Sequence, residues 1–163
     1  MNLKDIINED IKSALKSGSS DKVLTLRFLN SVIKNKELEK RKRLSKEGQP
    51  LTELGKLSEL TDEEVIKVIF GEIKKRQESI AQYEKGHRQN LAKKEAAELE
   101  ILKKYVPSEM SEDELRTIVK KKIIEIGGAA AKDFGKIMAS VMAEVKGRAG
   151  GELVKKIIEE ELK

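Results

Sequence analysis

The chain has 163 residues, a net charge of +5, 39% charged, 38% hydrophobic and 3% aromatic residues, one histidine and no cysteine. That length gives one domain or two small ones sharing an interface, with enough chain to bury a core. The missing cysteines exclude structural disulfides, thiolate metal sites and a cysteine nucleophile, and the lone histidine leaves no set for a triad or a transition-metal site.

The apolar spacing is helical almost throughout. Over 2–17, Leu3, Ile6, Ile7, Ile11, Ala14 and Leu15 form one stripe. The Ser17–Ser20 break then offers a serine N-cap. A second helix from about residue 20 turns Val23, Leu26, Leu29, Val32 and Ile33 inward and runs on into a basic stretch where the stripe thins. A helix that loses its apolar face is leaving its bundle. Residues 44–60, with Gly48, Pro50 and Gly55, read as an excursion loop with at most a short helical turn, the most mobile part of the chain. A capping box at Thr61–Glu64 starts a third helix carrying Val65, Ile66, Ile69, Phe70, Ile73, Ile80 and Tyr83, and Gly86 ends it. A fourth covers roughly 88–104 with Leu91, Ala92, Leu99 and Leu102 inward, until Pro107 stops it.

A second capping box, Ser111–Glu114, opens a fifth helix with Leu115, Ile118, Val119, Ile123 and Ile126, closed by Gly127 and Gly128. Asp133 caps a sixth with Phe134, Ile137, Met138, Val141, Met142 and Val145, its methionines packing in the core. A glycine-rich turn over 147–151 leads to a seventh with Leu153, Val154, Ile157, Ile158 and Leu162. No hairpin signal and no useful period-2 alternation appears. The expectation is all-α: a four-helix up-down bundle over 1–107 and a three-helix tail over 108–163. No apolar run reaches the roughly 18 residues of a membrane span. MNLKDIINEDIK lacks a signal-peptide apolar core, so the expected compartment is the cytoplasm.

Charge is uneven. Residues 1–107 hold 23 Lys/Arg against 18 Asp/Glu, whereas 108–163 hold 11 against 11. Lys34 to Lys46 alone carries seven cations, Arg41 and Arg43 among them, against Glu37 and Glu39. Such a patch permits a polyanionic partner, with the solvated helix faces of a Lys/Glu-rich chain as the alternative.

Catalytic motifs fail on inspection. The stretch from Gly127 to Lys136 lacks the phosphate-loop glycine at Ala130 and the hydroxyl at Ile137, and no strand precedes it. His87, at a helix start, has no second histidine at i+4. Glu95 falls on the stripe of Leu91, Leu99 and Leu102, where a salt bridge is its ordinary role. Lys136, Lys146 and Arg148 are the better candidates. Arg148 has a planar fork for phosphate, and the amides of the last helix's N-terminus lie just beyond; the competing role is a C-cap turn serving the helix dipole. Phe28, Phe70 and Phe134 lie on apolar stripes, leaving only Tyr83 and Tyr105 for partial exposure. An RNA partner is therefore read by shape and phosphate.

The run from Asp133 to Met138, then Lys146 to Gly151 and Leu153–Val154, resembles the YqeY-like family. So do Gly86–Arg88, Leu91, EAAELEILKKYVP (Glu95–Pro107) and LTLRFLNSVIKNKE (Leu24–Glu37). Residues 44–60 are longer than that family's usual connection, and Gly150 stands where an acid is common. The family shares its tail with the B subunit of the glutamine-dependent aspartyl/glutamyl-tRNA amidotransferase, where the tail helps grip tRNA. The resemblance implies two all-α subdomains and a partner that is tRNA or another structured RNA, with the aminoacyl-tRNA amidation machinery as a further partner. The amidase and the kinase-like cradle of that enzyme have no counterpart here. The expectation is a non-catalytic module with no cofactor, metal, membrane or DNA partner, gripping RNA through Lys136, Lys146, Arg148, Arg41, Arg43 and Arg88. The alternatives are an accessory in tRNA-dependent amidation, a carbon–nitrogen ligation with glutamine as donor, and a protein-interaction adaptor.

Overall fold

The computed structural model describes residues 1–127 and 133–162. Among them stand eight helices and no strand, so the chain is all-α as expected. It divides into two compact units, Met1–Val106 and Pro107–Lys163. The Gly128 half of the expected helix stop lies outside the described residues.

The first unit holds α1 (Leu3–Lys16), α2 (Ser20–Lys46), the one-turn α3 (Leu54–Leu57), α4 (Asp62–Lys85) and α5 (Gln89–Lys103). Cross-helix pairs fix the directions. Lys4 meets Glu37 at 2.7 Å, Asn8 meets Asn30 at 2.7 Å, and Asp10 meets Lys22 at 3.3 Å, so α1 and α2 run antiparallel. Lys40 reaches Glu64 at 2.8 Å while Phe28 lies beside Arg76, so α2 and α4 do too. A tight turn at 86–88 reverses α4 into α5. The result is the up-down bundle. Ile7, Leu26, Leu29, Ile33, Val65, Ile69 and Leu102 are at most 2% exposed. Each such burial contributes about 1.5–3 kcal/mol.

Several residues expected inward are not, three of them for one reason. Ile6, Leu15 and Leu91 are all exposed. Each is the immediate neighbour of a residue the core does take: Ile7, Ala14 and Ala92. Adjacent helical residues point about 100° apart, so a narrow stripe takes one of each pair.

Helix starts follow local chemistry. The Thr61/Glu64 and Ser111/Glu114 capping boxes both form, as does a third at Asn2/Asp5 that the sequence reading passed over. Two expected caps do not. Ser19 stands at the α2 cap, but its hydroxyl meets Ser17 instead, at 3.1 Å. Asp133 makes no capping bond and pairs with Lys136 at 3.7 Å. Gly86 does end α4, yet at φ −82°; the left-handed position falls to His87, at φ +55°. For a side chain with a Cβ that conformation costs of order 1 kcal/mol.

Helix α2 continues unbroken to Lys46, and Leu54 of α3, 2% exposed, is buried in the connection packed against it. Carboxylates tie this end of the bundle together. Glu37 accepts from Lys4 and from the Leu60 amide at 3.1 Å, and Asp62 accepts from the Leu3 amide at 2.9 Å. Burial pushes the Glu37 carboxyl up, but its Lys4 and Leu60 bonds outweigh that and hold it below the ordinary range. The Lys40 bond holds Glu64 low as well.

Tyr105 shows where the aromatic expectation fails. It is 8% exposed, and its hydroxyl donates to Asp10. That bond, with Lys22, lowers the Asp10 carboxyl despite its partial burial, while burial and Asp10 push the Tyr105 hydroxyl up. Asp10 thus binds fewer protons folded than unfolded. Its stabilisation is complete above the ordinary aspartate value of 3.8 and is lost as pH falls through the lowered one. Tyr105→Phe is expected to cost about 1–2 kcal/mol at pH 7, at the low end because the Asp10 side chain is 38% exposed. In urea titrations the gap to the wild type should shrink toward pH 3. A gap of equal size at both pH values would show that Asp10 is not the acceptor that matters.

The second unit packs α6 (Glu112–Ile126), α7 (Phe134–Val145) and α8 (Gly151–Glu161). Leu115, Val119, Ile137, Val141, Val145, Val154, Ile157 and Ile158 are fully buried, with Met138 and Met142 packed against them. Arg116 bridges to Glu160 and Glu161, and Lys122 to Glu144 at 2.8 Å. No helix among the described residues is long and apolar enough to cross a membrane.

Candidate nucleic-acid interface

Arg27, Lys34 and Arg41 are seven residues apart on α2. Each heptad brings the side chain back to within about 20° and advances it about 10 Å. All three are exposed, and none has an acidic partner among the described residues. Nearby cations differ: Lys36 pairs with Glu39, Lys40 with Glu64, and Arg43 with Glu47 at 3.7 Å. A spacing of about one Debye length lets the three fields overlap. The sequence reading found the cluster at 34–46 but left out Arg27. Its signal was the heptad step, not local density.

The tail candidates do not form one pocket. Lys136 lies in the first turn of α7, its side chain 77% exposed, whereas Lys146 and Arg148 follow the last turn. About 15 Å of helix separates Lys136 from Lys146. Lys146 adopts φ +48° and is exposed. Arg148 is half-buried. Its Nε donates to the Ser108 carbonyl at 3.1 Å, and its own carbonyl accepts from the Met110 amide at 2.8 Å. It therefore anchors the strand of chain entering α6, while its two terminal nitrogens make no hydrogen bond among the described residues.

Arg88 is exposed beside His87, past the C-terminal end of α4. Arg41 and Arg43 lie near Glu64 at the other end, about 30 Å along that helix. Within the bundle these three do not converge.

A cleft of about 780 Å³ opens between α2, α4 and α5. Glu72 and Arg76 on its floor are 4% and 7% exposed. Arg76 reaches Glu72 at 3.4 Å and Glu98 at 2.9 Å, and Lys75 reaches Glu72 at 2.6 Å. The guanidinium lies 5.5 Å from the centroid of the Phe28 ring. Phe28 corrects the expectation of a core position: it is 51% exposed. It borders the cleft beside Arg76, where α4 and α5 do not close over its ring.

A profile of the family described as Yqey-like protein matches residues 4–162. The chain belongs to the Yqey-like family. It is 30% identical over 160 residues to "Altered inheritance of mitochondria protein 41, mitochondrial" of Pyrenophora tritici-repentis, covering 94% of this chain and 77% of that protein. It is 31% identical over 110 residues to the uncharacterized protein C22F3.15 of Schizosaccharomyces pombe, covering 68% of this chain and 76% of that one.

In this Yqey-like chain Glu37, Glu64, Glu72 and Glu98 are engaged with cations, whereas Asp21 and Glu95 have no cation partner among the described residues, and no group of three metal-ligating side chains gathers among those residues. Glu95, half-buried as its stripe position suggested, stands on the wall of the cleft. The cleft itself escaped the sequence reading. Glu72, Arg76 and Glu98 look like solvent-face charges when each helix is read alone.

Proposed function

We propose that this protein is a non-catalytic helical module that binds tRNA or another structured RNA through its phosphate backbone. The observation that carries the reading is the exposed row of Arg27, Lys34 and Arg41, which has no acidic partner among the described residues. An unneutralised row gains from releasing counterions on a polyanion, whereas neutralised pairs gain little. Arg41 belongs to this row; Arg43, on the far side of the helix, and Lys136, Lys146, Arg148 and Arg88 are further contact points. The tail's likeness to the amidotransferase tail favours tRNA as the RNA. Service to tRNA amidation is one use such binding has, with the cytoplasm as its compartment.

Salt-titrated filter binding of the full-length protein to a folded tRNA tests this. Three phosphate contacts set a log–log slope of about −2.7, and the further contact points steepen it. A flat slope, or no retention at low salt, would refute it.

A further inference from the structure

We propose that the cleft between α2, α4 and α5 receives an unpaired nucleobase of the bound RNA, stacked on Phe28, with an exocyclic amine turned to the Asp21 and Glu95 carboxylates. This rests on the RNA reading above and names the part of the RNA that enters the bundle.

The platform is already built. Phe28 is half exposed in a cleft with room for a nucleobase and its sugar. Its ring is held from one side by the Arg76 guanidinium. Arg76 in turn is gripped by Glu72 and Glu98, so little side-chain freedom is left to lose when a base stacks.

The polar groups point the same way. Arg76 Nε is the one buried side-chain nitrogen or oxygen among the described residues with no hydrogen-bond partner. Cytosine, adenine and guanine bring an exocyclic amine, and Asp21 and Glu95 stand in the cleft with no cation partner among the described residues. Four cations and four carboxylates line the cleft, so its formal charge cancels. A phosphate gains nothing there, but a neutral base does. The phosphates run instead past Arg27, the residue before Phe28 in the chain, about 100° around α2.

The test uses the full-length protein and three fluorescent RNA hairpins: blunt, with a cytidine 3′ overhang, and with a uridine 3′ overhang. Anisotropy at fixed salt should rank cytidine above uridine, and both above blunt. Phe28→Ala should erase the overhang gain, a loss of roughly 5- to 150-fold, with blunt binding unchanged. Phe28→Tyr should keep the gain, and Glu95→Ala should narrow the cytidine preference. If the wild type does not distinguish overhang from blunt, or Phe28→Ala keeps the gain, this inference falls and the RNA reading stands. If the wild type binds none of the hairpins, both fall.

Discussion

Arg76→Ala is expected to destabilise the first unit by about 3–5 kcal/mol. The substitution leaves the Glu72 carboxylate, 5% exposed, in the bundle without its guanidinium. Lys75 remains beside Glu72, which places the cost toward the lower end. Glu98 is 23% exposed and can turn to water. The charges are not needed for stability as such. Glu72→Leu with Arg76→Met removes both and should recover most of the loss. Urea unfolding followed by far-ultraviolet dichroism measures each variant. A single-variant cost under about 1 kcal/mol would mean that water reaches Glu72 in solution.

The second large effect is on binding. Arg27→Gln, Lys34→Gln and Arg41→Gln together should remove about 2.7 from the log–log salt slope and weaken RNA binding roughly 10²–10³-fold near 0.1 M salt. Stability should stay within about 0.5 kcal/mol, since these side chains cover no core. The same triple change at Lys36, Lys40 and Arg43, which already have carboxylate partners, should weaken binding far less. Equal losses from both sets would show that total charge governs binding and the unpaired row does not.

Helix identity was legible because local rules and the core agree. Thr61, Ser111 and the Gly127 stop, at φ +92°, each act where a short window of sequence puts them. What one helix cannot disclose is which side its neighbours leave open. Phe28 scores as core by chemistry and by spacing from its own turn, yet α4 and α5 leave a cleft open beside it. Arg76 scores as surface, yet it lies beneath Phe28. The cation row was half legible: density marked Lys34 and Arg41, but only pairing across helices, as in Lys40 with Glu64, shows which cations remain unspent.

Helix α2 runs without a break from Ser20 to Lys46. Phe28 and Arg41 therefore sit on one rod, about 20 Å apart along its axis. Neither end can approach the other without melting the middle, where Leu29 and Ile33 are locked in the core. The rod is a ruler: a molecule touching both marks must present its two features at that separation, and one whose features are spaced differently can occupy only one mark at a time.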